Sequence, residues 1–506
     1  MENFCVRERP LTPRAPNVPG RAPRRRRGSV LVSTVLAAAL AGCSSETANT
    51  VKTFGHALFG TGSTSPYLTG FIGNVVADEP QAALVARDVL ARGGNAADAA
   101  AALGMALAVT LPSRAALGAG GACLAYRPGD GGGGHAFLFT PVAGTTAPGS
   151  SAPVDRPAAV PMLARGLYLM QVRYGSVDFS ETITPALELA RGGISVSHAL
   201  AGDLAAVQGP LLADPGARAI FGRDDGKALV EGDTLLQPHL AGVLEQMRSM
   251  GVGDLYNGAL AQSFVAGSQA AGGGLQTGDL RRAIPAETIP LTVRADRMTV
   301  AFLPPPADGG LGSAVAFRAL SAGGAAGSAG QSAVAAWRAH DGGTQDAAAL
   351  VARAQAVVDS GAVPQGGALP HLPASTSFAV IDRHGGAVAC SLTMDNLFGT
   401  GRVAGATGIV IGASPQRLPR PLLTAAIASK GATLRAVVTG SGQNDAADAV
   451  AAEMRQVLAG AKPGARPVTA NGRINAIACS GGVPGGEGSC AGGTDARSAG
   501  LAVGSD

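Results

Sequence analysis

Aromatic side chains are scarce in this chain, with one Trp and five Tyr among 506 residues. No basic stripe interleaves with them, so the stacking and phosphate contacts of a nucleic-acid binder have no footprint. Neither a CxxC pair nor a His/Cys cluster at metal-ligand spacing occurs, which argues against a zinc site. No period of about 20 to 50 residues repeats, which sets aside a solenoid. Charge is also sparse, 15% of residues against 46% hydrophobic, a balance that favours a large buried core over disorder. What is plentiful is glycine, 74 residues, which implies tight turns, close packing and flexible tracts. The length leaves room for more than one compact unit or for one intertwined α/β body.

The formal charge of +4 has a location. Residues 1–30 hold eight Arg and two Glu, leaving 31 basic against 33 acidic residues and a body near −2. Arg24 to Arg27 precede the apolar run Val30 to Leu40 and then Ala41-Gly42-Cys43, the order of a charged n-region, an h-region and a small-residue cleavage site. The run is short for a membrane span. Leu40-Ala41-Gly42-Cys43 resembles the bacterial lipobox, which implies a signal peptide over 1–43 and lipid on Cys43. The expected address is the bacterial cell envelope, anchored in the membrane through that lipid and facing the periplasm. Residues 44–73 read as a flexible tether. With Cys5 discarded and Cys43 lipidated, Cys123, Cys390, Cys479 and Cys490 remain. The last two bracket a Gly-rich loop and either close as a disulfide in an oxidising compartment or stay as two thiols.

Order begins near Asn74. Asp78-Glu79-Pro80 reads as a helix start with carboxylates at the positive end of the dipole, and Gly93-Gly94 as its stop. A second, Ala-rich helix is expected from about Ala96 to Thr110, then a Gly turn into a strand ending near Tyr126, with Ala136 to Thr140 as hairpin partner. The stretch from about Pro161 to Gly251 reads as helical. Beyond Phe378 short strands are expected at Phe378 to Asp382, Ala387 to Leu392, Gly408 to Gly412, Leu434 to Thr439 and Asn475 to Cys479. A helix-rich half thus precedes residue 375 and a strand-rich half follows it.

The junction itself carries chemistry. Ser375-Thr376-Ser377 stands directly before the strand, where a self-cleaving hydrolase places its N-terminal nucleophile. Such an enzyme cuts its chain before a Ser, Thr or Cys, and the freed α-amine, with pKa about 7.7–8, deprotonates the neighbouring hydroxyl. The plain alternative is that these hydroxyl residues only open a strand after the Pro373 turn.

Separated motifs decide between these. Gly94-Asn95-Ala-Ala-Asp98, Leu117-Gly118-Ala-Gly120-Gly121, Pro304-Pro-Pro306 with Gly309-Gly310, Phe398-Gly399-Thr400-Gly401, Thr439-Gly440-Ser441 and Thr494-Asp495-Ala-Arg497 occur in order. Together they resemble the γ-glutamyltranspeptidase (glutathione hydrolase) family across about residues 74–504. The resemblance implies an α/β (α+β) fold, an αββα sandwich of the N-terminal-nucleophile hydrolase type. It further implies one precursor cut into a large-subunit-like region, 74–374, and a small-subunit-like region, 375–506, which stay associated as one body. Ser375 takes the place of the family's nucleophilic Thr, and Thr393 matches the threonine that hydrogen-bonds it. Asp395 stands where the family has an asparagine beside the substrate, Leu423-Thr424 where it has Ser-Ser, and Gln443-Asn444 where it has the oxyanion Gly-Gly after Gly440-Ser441. The implied substrate is a small amide or peptide, γ-glutamyl or related, such as glutathione. Neither cofactor nor metal is implied.

Other family features are absent. No Lys or Arg lies between Arg127 and Arg156 to grip a substrate carboxylate near Thr140, and the role does not transfer to Arg114, whose loop precedes the Gly turn. The Asp-bearing segment that holds the substrate amine is missing, because Gly408 to Ser414 run straight into Pro415. These losses keep open a second class, a non-catalytic envelope lipoprotein that retains the fold as a binding or scaffold module.

Overall fold

The computed structural model describes residues 67–145, 154–324, 327–340, 346–416 and 418–504. The expected signal peptide, Cys43 and most of the expected tether lie outside these residues.

Two antiparallel sheets organise the chain. The first runs in the order Leu501–Gly504, Gly73–Ala77, Ser375–Asp382, Ala387–Thr393, Gly120–Tyr126, His135–Phe139 and Ala286–Thr288. The second runs Cys490–Thr494, Arg473–Val483, Thr433–Ser441, Thr424–Lys430, Met298–Phe302 and Leu291–Ala295. Among the described residues the α-helices lie before residue 375 except Ala446–Leu458, as expected of a helix-rich half followed by a strand-rich one, yet both sheets take strands from either side of that position. Gly120–Tyr126 and His135–Phe139 pair as the expected hairpin.

Three buried clusters define four layers. Leu124, Tyr126, Ala379 and Ile381 of the first sheet meet Ala425, Ile427, Val437 and Ile477 of the second, so the sheets stack face to face. The other face of the first sheet, with Val75, Phe378 and Val380, packs on the helices Pro80–Ala91, Ala96–Thr110 and Leu163–Tyr174. The outer face of the second, with Val300, Ala426 and Val438, packs on Gly309–Ser321 and Ala446–Leu458. This is the αββα sandwich, and its wholly antiparallel pairing makes it α+β.

Local chemistry explains how these elements start and meet. The side chain of Asn95 accepts from the backbone of Ala97 and Asp98 while Asp98 accepts from Asn95, a reciprocal cap. All fifteen residues of the helix it opens are buried, which is why that helix is Ala-rich on every face. The glycines after the triple proline permit close approach. A Cβ on Gly310 would lie 2.0 Å from the Leu303 carbonyl oxygen and one on Gly309 2.5 Å from that of Leu423. Glu79 caps the first helix through Ala82 N–H, but Asp78 does not share that task, as the site shows. Gly408 to Gly412 form no strand. Gly408 has φ +67, Gly412 lies against the Gly118 backbone, and the segment is tied to its neighbours by the isolated Val403–Val410 bridge and by single bonds from Thr400 N–H to Ile411 and Ala159 N–H to Gly412.

Candidate active site

Ser375 is the first residue of its strand and is 1% exposed. The hairpin closed by Asp382, whose carboxylate accepts from His384, Gly386 and Ala96 N–H, sets the register that places Thr393 opposite Ser375. The Thr393 hydroxyl does not bond the serine hydroxyl. It donates at 2.8 Å to the carbonyl of Ala374, the residue before the predicted cut, while Asp395 N–H donates to Thr393 Oγ1 at 3.0 Å and orients it. Ser375 Oγ accepts from Gly442 N–H at 3.2 Å, and Gly442 has φ +102, a conformation that favours glycine. Arg114 donates to the Ser375 carbonyl at 3.4 Å and is anchored through a two-bond fork on Asp203.

Behind Ser375 lies a buried polar hub. One oxygen of Asp78 accepts from Thr376 Oγ1 at 2.9 Å, Ser377 N–H at 3.0 Å and Ser441 Oγ at 3.1 Å. The other accepts from Asn475 Nδ2 at 2.8 Å, and the same amide also reaches the Ser377 carbonyl. Asp78 therefore ties the start of the Ser375 strand to two strands of the opposite sheet. Sequence reading placed it at a helix end, and nothing local signals a partner some 400 positions away. Gly442 and Arg114 escaped the sequence assignment too, although the Thr439-Gly440-Ser441 motif ends one residue short of Gly442.

The remaining sequence candidates divide. The side chains of Gln443 and Asn444 face the chain before Ser375, at Leu372 and Leu369. Thr424 instead bonds Ser313 Oγ at 2.6 Å, and Ser441 bonds Asp78 rather than Ser375. Gly440 allows close packing, since a Cβ there would lie 2.6 Å from Val450 and 2.8 Å from Thr424. Asp395 is 1% exposed, at φ +58, with neither carboxylate oxygen hydrogen-bonded. Burial pushes its pKa up to about 7. Cys479 and Cys490 form a disulfide, and a second one, not foreseen, joins Cys123 to Cys390. Among the described residues no group of three or more His, Cys, Asp or Glu is placed to hold a metal ion, and no helix is long and apolar enough to cross a membrane.

Comparisons with known proteins bear on this geometry. The chain is 30% identical over 389 residues to the glutathione hydrolase proenzyme of Escherichia coli strain K12, covering 67% of this chain and 65% of that protein. It is 31% identical over 256 residues to glutathione hydrolase 3 of Arabidopsis thaliana, covering 49% of this chain and 40% of that protein. The chain thus spans less than two thirds of the length of these relatives. The crystal structure of cephalosporin acylase from Bacillus halodurans shares the fold, with a TM-score of 0.67 at 18% identity over 88% of this chain and 98% of that one. The family model of gamma-glutamyltranspeptidase matches residues 82–336, just over half of the chain and ending before Ser375. The chain belongs to the gamma-glutamyltranspeptidase family.

Proposed function

We propose that this protein cuts itself before Ser375 and then acts as an N-terminal-nucleophile hydrolase or acyltransferase on γ-glutamyl or related amides such as glutathione. The observation that carries the reading is the Thr393 hydroxyl on the Ala374 carbonyl. Addition of Ser375 Oγ to that carbonyl carbon places negative charge on the oxygen to which Thr393 already donates. The Ala374–Ser375 C–N bond breaks, the nitrogen takes up the hydroxyl proton, and water hydrolyses the resulting ester. Ser375 is left with a free α-amine, which can deprotonate its own hydroxyl near neutral pH. That hydroxyl attacks the substrate amide, forms an acyl-enzyme and passes the acyl group to water or an amine. Gly442 N–H, already beside Oγ, is the backbone donor available to the oxyanion.

A lipid-anchored address in the bacterial envelope, through Cys43, belongs to the same proposal. It is supported by the Arg-rich and apolar leader and by two disulfides in the body, which persist in oxidising compartments. The competing reading, a non-catalytic lipoprotein, is favoured by the lack of any Lys or Arg near Thr140. A reducing, denaturing gel of the mature protein separates the two. Two fragments are expected, with the smaller beginning at Ser375 by N-terminal sequencing. Thr393→Ala should slow the cut about 100- to 1,000-fold, the usual effect of removing one oxyanion donor, and Thr393→Ser should restore most of it. A single band that persists for days in the wild type would remove the hydrolase mechanism.

A further inference from the structure

The chain before Ser375 is held by side chains rather than by a strand partner. Leu372 donates its N–H to Gln443 Oε1 at 3.1 Å, and its carbonyl accepts from Gln443 Nε2 at 3.1 Å. One primary amide therefore reads both backbone groups of a single residue, as a neighbouring strand would. Asn444 Nδ2 reaches the Leu369 carbonyl at 3.4 Å. The side chains of Leu369 and Leu372 are buried with Val334, Leu422, Ala446 and Ala447, while Pro370 and His371 between them are exposed. Backbone pairing with apolar anchors on one side and solvent on the other is how extended peptides are bound. Gly442, which holds Ser375 Oγ, directly precedes Gln443, so a single turn sets the nucleophile and the peptide in register.

We propose that Gln443, Asn444 and this apolar pocket form a peptide subsite on the acyl side of the reacting bond, and that Leu369–Ala374 stays bound there after the cut as a C-terminal tail. The inference rests on the reading that the chain is cut before Ser375. Cleavage consumes one water, gives Ala374 a carboxylate and Ser375 an amine, and breaks only the bond between them. None of the contacts just named includes that bond, so all survive it. The tail then occupies the approach to Ser375 from the Gln443 side, and a small amide must compete with it. A peptide carrying an apolar residue three positions before the scissile amide can take over the place of Leu372, whereas a bare γ-glutamyl amide has no group for it.

Hydrogen exchange of the full chain, read by mass spectrometry, tests this together with a reducing gel. Pro370 and Pro373 carry no amide, so the readout is the Leu372 N–H, which is expected to stay protected before and after the cut and to exchange about ten-fold faster or more in Gln443→Ala while Ala387–Thr393 is unchanged. Leu372→Ser should loosen the same segment without altering Gln443. Free exchange of the Leu372 amide in the uncut wild type would overturn the subsite. Protection that disappears on cleavage would overturn the retained tail, and a single band on the gel would overturn the tail together with the reading of Ser375. Protection in that uncut chain would still support the subsite. In cut protein, the synthetic peptide Leu-Pro-His-Leu-Pro-Ala is expected to bind Leu372→Ser at least about ten-fold more tightly than wild type. Equal binding would show that no tail competes.

Discussion

Asp395 is the residue whose chemistry departs furthest from its type. Its carboxylate is buried without a hydrogen-bond partner, and burial holds the pKa near 7. Between pH 4 and 7 the folded protein therefore keeps a proton that the unfolded chain has released, so stability falls as pH rises through that window and levels off above it. Asp395→Asn removes this dependence. Its urea midpoint should match wild type near pH 4 and exceed it at pH 8, by on the order of 4 kcal/mol in unfolding free energy. A difference that is the same at both pH values would show that the carboxylate is not held neutral by the fold. The sequence singles the position out because Asp395 stands two residues past Thr393, where the family resemblance places an asparagine. Its isolation is not legible there, since that depends on which groups surround it in space.

At the scale of elements, legibility followed local chemistry. The buried helix was read at Ala96 to Thr110, the bounds it has in the structure, because a reciprocal cap opens it and an unbroken apolar run follows. The hairpin of Leu291–Ala295 and Met298–Phe302 was missed. Its turn is Asp296-Arg297, both at positive φ, a geometry usually signalled by Asn-Gly or Asp-Gly. Asp78 was misread for the opposite reason, because its local setting resembles a cap while its partners are remote. It joins the Ser375 strand to Thr433–Ser441 and Arg473–Val483. Asp78→Ala leaves these buried donors without their acceptor, and each costs about 1–3 kcal/mol when unsatisfied. The variant should lose about 3–5 kcal/mol of stability in chemical denaturation and cut at least about ten-fold more slowly. Asn475→Ala, which removes one arm of the hub, should fall between it and wild type. Unchanged cutting in a folded Asp78→Ala protein would show that the hub does not position Ser375.

The whole molecule is joined in a way that its sequence concealed. Cys479 and Cys490 could be paired on paper because they are 11 residues apart around one loop. Cys123 and Cys390 are 267 apart, and only the pairing of Gly120–Tyr126 with Ala387–Thr393 brings them opposite one another. The predicted cut after Ala374 falls between these two cysteines. Cleavage therefore yields fragments that share interleaved sheets and are also linked covalently. The cut protein should run as one species on a non-reducing denaturing gel and as two after reduction. Cys390→Ala should release two fragments on both gels and lower stability by about 2–5 kcal/mol, the usual contribution of a long-range disulfide. Two fragments from the wild type without reductant would mean that this bond is open in the mature protein. The interleaved strands alone would then hold the halves together, because the first sheet places Ser375–Asp382 between Gly73–Ala77 of one fragment and Ala387–Thr393 of the other.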